Sequence, residues 1–137
     1  MIVVDTNVLS ELLRPAPEPR VVRWLDAQPL GTMATTAVTK AEMTYGVERL
    51  PEGQRRTALT LTVSAIMERF AGRILPFDEA AAAHYASIVI ARRKMGRPIE
   101  PLDAQIVAIA AAHGAAVATR HRDMRDCGIP LINPWND

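Results

Sequence analysis

Three β-branched residues, Ile2-Val3-Val4, run straight into a carboxylate, Asp5, and that junction constrains the fold more than any other feature of the chain. A short, wholly apolar run suits a buried strand. Asp5-Thr6-Asn7 then supplies N-cap chemistry for a helix over residues 8–13, so strand gives way to helix at the acid. The alternation recurs. Pro19–Ala27 reads as a helix packing through Val21, Val22, Trp24 and Leu25, and Pro29 and Gly31 break it. Residues 32–36 form the next strand, and Thr36 or Thr39 caps a helix containing Ala41, Met43, Tyr45 and Val47. Pro51-Glu52-Gly53 is a turn; a longer helix follows over 55–71, stopped by Gly72. Residues 74–77 form a strand, Asp78 caps a helix to Met95, and 96–100 form a loop. Pro101 suits the first turn of a helix that runs to His113 and stops at Gly114. Strands over 115–119 and 130–132 complete the pattern.

Short strands alternating with helices predict an α/β fold: a three-layer α/β/α sandwich around a central parallel sheet of four or five strands. In such sheets ligands gather at the carboxyl ends of the strands. A chain of 137 residues fits one domain, residues 1–137, with a core that needs no covalent staples.

Composition excludes several function classes. The single cysteine, Cys127, allows no internal disulfide, has no metal-spaced partner, and reads as a half-buried filler suited to a reducing compartment. Residues 2–5 follow neither a basic segment nor a long apolar one, so no signal peptide is expected. The longest apolar tract, 106–118, is broken by His113 and Gly114 and falls short of the roughly 18 residues of a membrane span. The expected location is therefore the cytoplasm, with no membrane partner. The formal net charge of +1 decides nothing about nucleic acid. Arg92-Arg93-Lys94 with Arg97, and Arg120, Arg122 and Arg125, read first as solvated faces.

The acids are more informative. Asp5 follows the first strand, Glu42 lies in the helix after the second, Asp103 sits in the first turn of the Pro101 helix, and Asp123 comes shortly after the fourth strand. Four acids thus fall near one edge of the expected sheet. Crowded carboxylates repel one another and raise each other's pKa, and a divalent cation removes that penalty. An oxygen-only set with no His or Cys cluster favours Mg²⁺ or Mn²⁺ over zinc. Such a cation activates water and neutralises charge on phosphate, which is the chemistry of phosphodiester hydrolysis. The helix N-terminus favours ionised Asp103. Taken singly, each acid has a plainer reading: Asp5 as an N-cap, Asp103 as a first-turn dipole acid, Glu42 as an exposed helix residue, Asp123 as a loop residue paired with Arg120 or Arg125.

Four segments in order change that balance. Ile-Val-Val-Asp-Thr-Asn-Val-Leu-Ser-Glu (2–11) resembles the opening of PIN-domain proteins, and in particular VapC-type toxins of the FitB-like branch. Thr-Ala-Val-Thr-Lys-Ala-Glu-Met-Thr-Tyr-Gly (36–46) is similar to their second motif, a Glu a few residues before a Gly. Gly-Arg-Ile-Leu-Pro-Phe-Asp (72–78) is similar to the FitB-like middle segment, and Leu-Asp-Ala-Gln-Ile-Val-Ala (102–108) to the third motif. Ala118-Thr119-Arg120 with Ile132-Asn133-Pro134-Trp135 resembles the C-terminal end.

The resemblance implies a PIN fold and a Mg²⁺-dependent ribonuclease, the toxin of a toxin–antitoxin pair. Asp5, Glu42 and Asp103 match the acidic positions, with Asp5 and Asp103 as metal ligands. Asn7 matches a polar residue beside the first acid, and Thr119 a hydroxyl near the metal. At the site of the fourth acid, often Asp or Asn, this chain has His121, in a loop one residue shorter than a common pattern. Asp123 is the candidate replacement. His121 is otherwise an exposed loop residue, and His84 and His113 are helix-surface or packing residues. Arg120 and Arg122 are candidate phosphate ligands, since guanidinium forks match phosphate geometry. The implied partners are RNA, a cognate antitoxin, a second copy of the chain, and operator DNA through the antitoxin. Val47, Leu50, Leu59, Val63 and Ile66 are either an interface or ordinary core. The rival reading is a metal-binding or partner-binding module with little catalysis, within a DNA-bound repressor complex. A small-molecule phosphohydrolase of the aspartyl-phosphate type would typically carry a second Asp at position 7, where this chain has Asn.

Overall fold

The structure, a computed structural model, describes residues 1–29 and 31–136. Its elements run β1 (Ile2–Val4), α1 (Thr6–Glu11), α2 (Pro19–Ala27), β2 (Met33–Thr36), α3 (Ala37–Glu48), α4 (Gln54–Arg69), β3 (Ile74–Leu75), α5 (Glu79–Lys94), α6 (Pro101–Ala112), β4 (Ala116–Ala118), a 3₁₀ turn (Arg122–Met124) and β5 (Leu131–Ile132). The strands form one five-stranded sheet in the order β3-β2-β1-β4-β5. Every pairing is parallel, with Ile2 beside both Met33 and Ala116, Thr35 beside Ile74, and Val117 beside Leu131. The expected α/β architecture is present, at five strands.

Side-chain alternation along β1 and β4 divides the interior between the two faces of the sheet. Val3 and Val117 pack with Ala81, Ile88, Ile99 and the Ala104 to Ala110 stretch of α5 and α6. Val4 and Ala118 pack on the other face with Val8, Leu9, Val21, Leu25, Met43, Val63, Ile66 and Met67 of α1 to α4. Val47, Val63 and Ile66 are buried and Leu50 and Leu59 half-buried, so that set is core and not a free apolar face. Among the described residues no helix is long and apolar enough to cross a membrane.

Local chemistry shifts several boundaries. Helix α1 begins at Thr6, two residues early, because the Asp5 side chain is itself the cap, accepting from the Thr6 N–H. Thr36, not Thr39, caps α3, its hydroxyl accepting from the Thr39 N–H at 3.0 Å. Pro76, which lacks a backbone donor, follows β3 at once, so the strand has two residues instead of four. At the end of α6, Gly114 takes φ 61°, the Ala115 N–H returns to the Ala110 carbonyl and the Gly114 N–H to that of Ala111. This Schellman closure turns the chain directly into β4.

The Arg92-Arg93-Lys94 cluster is a correction to the solvated-face expectation. Arg93 and Lys94 are exposed, but Arg92 is only 3% exposed. Its Nε donates to the Arg97 carbonyl at 2.8 Å, and its Nη1 to the carbonyls of Asp123 and Arg125 and the thiol of half-buried Cys127. Arg97 adds an ion pair with Asp126, a non-glycine residue held at φ 61°. A buried guanidinium has thus replaced backbone pairing for the segment between β4 and β5. Arg92→Met should lower unfolding free energy by about 2–4 kcal/mol, because the carbonyls of Arg97, Asp123 and Arg125 all lose their shared buried donor. Arg93→Met should change it by about 0.5 kcal/mol or less. Urea denaturation of the two variants checks the contrast.

Candidate active site

Strand order reverses direction between β1 and β4: from β1 the chain proceeds outward to β2 and β3, then returns to the other side of β1 with β4. That crevice is where open parallel sheets place ligands. Asp5 leaves the carboxyl end of β1 and Thr119 that of β4, joined by the Asp5 N–H to the Ala118 carbonyl at 3.0 Å.

Asp5 is 1% exposed, and its carboxylate accepts from three donors. Its Oδ1 accepts from the Thr6 N–H at 2.7 Å; its Oδ2 accepts from Asn7 Nδ2 and from the Thr119 hydroxyl, each at 2.8 Å. The Thr119 oxygen in turn accepts from Asn7 Nδ2 at 2.9 Å and from the His121 N–H at 3.0 Å, which uses its whole hydrogen-bonding capacity. Asn7 Oδ1 accepts from the Arg120 N–H at 3.4 Å. Asn7 and Thr119, both expected as supporting residues, therefore hold the acid directly. Glu42, half-buried on α3, is held from the β1 side: the Thr6 hydroxyl donates to its Oε1 at 2.7 Å and lies 3.0 Å from the Thr39 hydroxyl. From the sequence, Thr6 and Thr39 had only helix-capping roles; Thr6 positions Glu42 directly, and Thr39 touches Thr6 and not the acid.

The electrostatics tie the acids together. Burial pushes the Asp5 carboxyl up from 3.8 to about 6, against the Thr119 and Thr6 hydrogen bonds, with Asp103 raising it further and His121 opposing. Asp103 is also raised, first by burial, with His121 opposing and Glu42, Glu100 and Asp123 adding repulsion. Burial and like charge therefore outweigh the help expected from the α6 N-terminus. Asp5, Glu42 and Asp103 share one region, with Asp123 and His121 within Coulombic reach. Asp123, His121 and Arg122 are exposed on the 3₁₀ segment. Arg120 lies with its guanidinium 4.4 Å from the centroid of the Trp135 ring. Beside Glu42, a cavity of about 600 Å³ is lined by Val38, Ala41, exposed Tyr45, Leu102 and Gln105.

No three His, Cys, Asp or Glu side chains among the described residues stand close enough together to surround one ion. The donor chemistry nonetheless fits a hard divalent cation, since magnesium takes only one or two carboxylates directly and completes its shell with water. A buried acid raised to about 6 is also one whose charge lacks a counter-ion.

A parallel sheet with acids gathered at its switch point is the arrangement of the PIN domain, whose family model matches residues 2–129. The chain belongs to the PIN-domain family. Within it the likeness is to toxins. Toxin FitB of Neisseria gonorrhoeae is 42% identical, with all of both chains covered. VapC ribonuclease Y4jK of Sinorhizobium fredii is 40% identical over 98% of each chain. A solved structure of FitAB bound to a DNA fragment superposes with a TM-score of 0.93 at 43% identity, covering 98% of this chain and 96% of that one.

The raised Asp5 pKa carries a sign. Between about pH 4 and 6 the folded metal-free chain keeps a proton that the unfolded chain has released, so stability from this group falls as pH rises through that window, by about 3 kcal/mol in all. Asp5→Asn removes the titration. In EDTA, urea denaturation at pH 4.5 and 7.5 should show the variant gaining about 2 kcal/mol on wild type between the two pH values. An unchanged difference would contradict the burial account.

Proposed function

We propose that this chain is a divalent-metal-dependent endoribonuclease, with Mg²⁺ the preferred ion and Mn²⁺ a substitute, acting as the toxin of a toxin–antitoxin pair. The observation that carries the reading is the buried Asp5 carboxylate, oriented by three donors at the β1–β4 switch point and repelled by Asp103 beside it. Asp5 and Asp103 hold the cation, directly or through water. Glu42, fixed by Thr6, completes the acidic site and orients the attacking water. When bound, the cation neutralises charge developing on the phosphate and makes water a better nucleophile. Thr119 and Asn7 keep Asp5 in one rotamer, so the donor atoms need no rearrangement when a ligand arrives. Asp123 supplies the fourth charge in place of the residue that His121 has displaced. Arg122 offers its guanidinium to phosphate from the 3₁₀ turn, and Arg120 adds positive charge to the rim.

The proposed partners are a cognate antitoxin, operator DNA reached through it, and a second copy of the chain; the likeness to a FitAB assembly bound to a DNA fragment supports the first two.

Purified, antitoxin-free protein incubated with total RNA should give discrete fragments with Mg²⁺ or Mn²⁺ and none with EDTA. Asp5→Ala and Asp103→Ala should each remain folded and cut at least about a hundredfold more slowly. Full activity in both would sink the mechanism. Metal binding without cleavage by folded wild-type protein would turn the reading to a non-catalytic module of a repressor complex. Thr119→Val deletes a donor that lowers the Asp5 pKa. The acid limb of its pH–rate profile should therefore move to higher pH, measured with Mg²⁺ held constant.

A further inference from the structure

We propose that Arg120 and Trp135 form a stacking platform for one nucleobase of a single-stranded RNA substrate, with Arg20 and Arg23 holding the adjoining backbone. The inference rests on the ribonuclease reading and assigns the substrate a path out of the acidic site. Three observations carry it. The Arg120 guanidinium lies over the Trp135 ring, 4.4 Å from its centroid, while Trp135 is half-buried and packs against the core beneath β1 and β4. The ring thus backs the guanidinium, and Arg120 is an exposed residue. Second, the platform is fastened to the site: the Arg120 N–H donates to Asn7 Oδ1, and Asn7 Nδ2 donates to Asp5. Third, Arg20 Nη1 donates to the Trp135 carbonyl at 3.1 Å. Arg20 also lines a groove of about 540 Å³ with Arg23, Trp24, Ala27 and Asn136.

Acids at one end and arginines with indoles at the other suit a ligand with both charge and π-faces. Single-stranded RNA meets that description, because its unstacked bases lie on guanidinium planes and aromatic rings while its phosphates take arginine forks. Duplex RNA keeps its bases stacked within the helix and offers the platform nothing. Arg120 consequently selects for unpaired nucleotides next to the cut, beyond adding charge.

The test is binding of a fluorescein-labelled 12-nucleotide single-stranded RNA, by anisotropy in EDTA, alongside Mg²⁺-dependent cleavage of the same oligonucleotide. Arg120→Ala should weaken binding about tenfold, and Arg120→Lys should recover little of it while keeping the wild-type salt slope, because lysine has charge but no plane. Arg20→Ala with Arg23→Ala should flatten the salt slope by about one to two. In a Trp24→Phe chain, where Trp135 is the sole indole, the single strand should quench the emission and a duplex of the same sequence should not. If wild type cleaves RNA while both Arg120 variants bind and cut as it does, the platform is overturned and the nuclease stands. Full recovery by Arg120→Lys, or equal quenching by duplex, also overturns it. Failure of wild type to bind or cut RNA removes both readings together.

Discussion

The hydrogen bond from the Thr119 hydroxyl to the Asp5 carboxylate spans 114 residues of sequence, and the site depends on it. It forms only when β1 and β4 lie side by side, in parallel and in register, with Val4 opposite Ala118. The acid it serves is buried at the energetic expense of an unfavourable charge, and three donors offset part of that expense. The remainder is a burial penalty on the charged form that the proposed cation would relieve. Fold and chemistry therefore meet in one contact: the sheet's central pairing gives Asp5 its environment, and the environment sets its protonation.

Much of this was legible in the sequence because the signals were local. The apolar run before Asp5 marks the first strand, Asp78 and Pro101 mark helix starts, and Gly114 marks a stop; each states a backbone preference that tertiary packing does not oppose. Asp5 and Glu42 could be placed at one edge because a parallel sheet puts every strand-to-helix junction on the same side; Asp103 opens α6, which follows a helix and not a strand, so the family motif placed it. The arguments weakened where long-range geometry decides. Nothing local distinguishes Arg92 from Arg93, yet one is buried under the 120s segment and the other is in water. Arg120 read as a phosphate fork, and the indole it lies on comes from fifteen residues further along, outside any local window. Thr6 and Glu42 were each visible, but the hydrogen bond between them, across 36 residues of sequence, was not.

The two halves of the site are built differently. Asp5 and Glu42 are fixed by short, mutually satisfied networks of threonines and an asparagine rooted in β1, α1 and α3. His121 and Asp123 ride on a segment with no sheet pairing, tethered from beneath by Arg92 and flanked by the Arg97–Asp126 ion pair. The departure from the usual fourth acid falls on the tethered half.

Both margins of the sheet are two-residue strands, β3 on one side and β5 on the other. So little unpaired backbone gives an incoming chain almost no ladder to extend. Side chains over the helices or across the acidic crevice are therefore the larger surface on offer to a partner of this chain, which gains little from main-chain pairing at either margin. Its affinity can then be tuned residue by residue, and sister copies accumulating without it have no ready route to sheet-on-sheet growth.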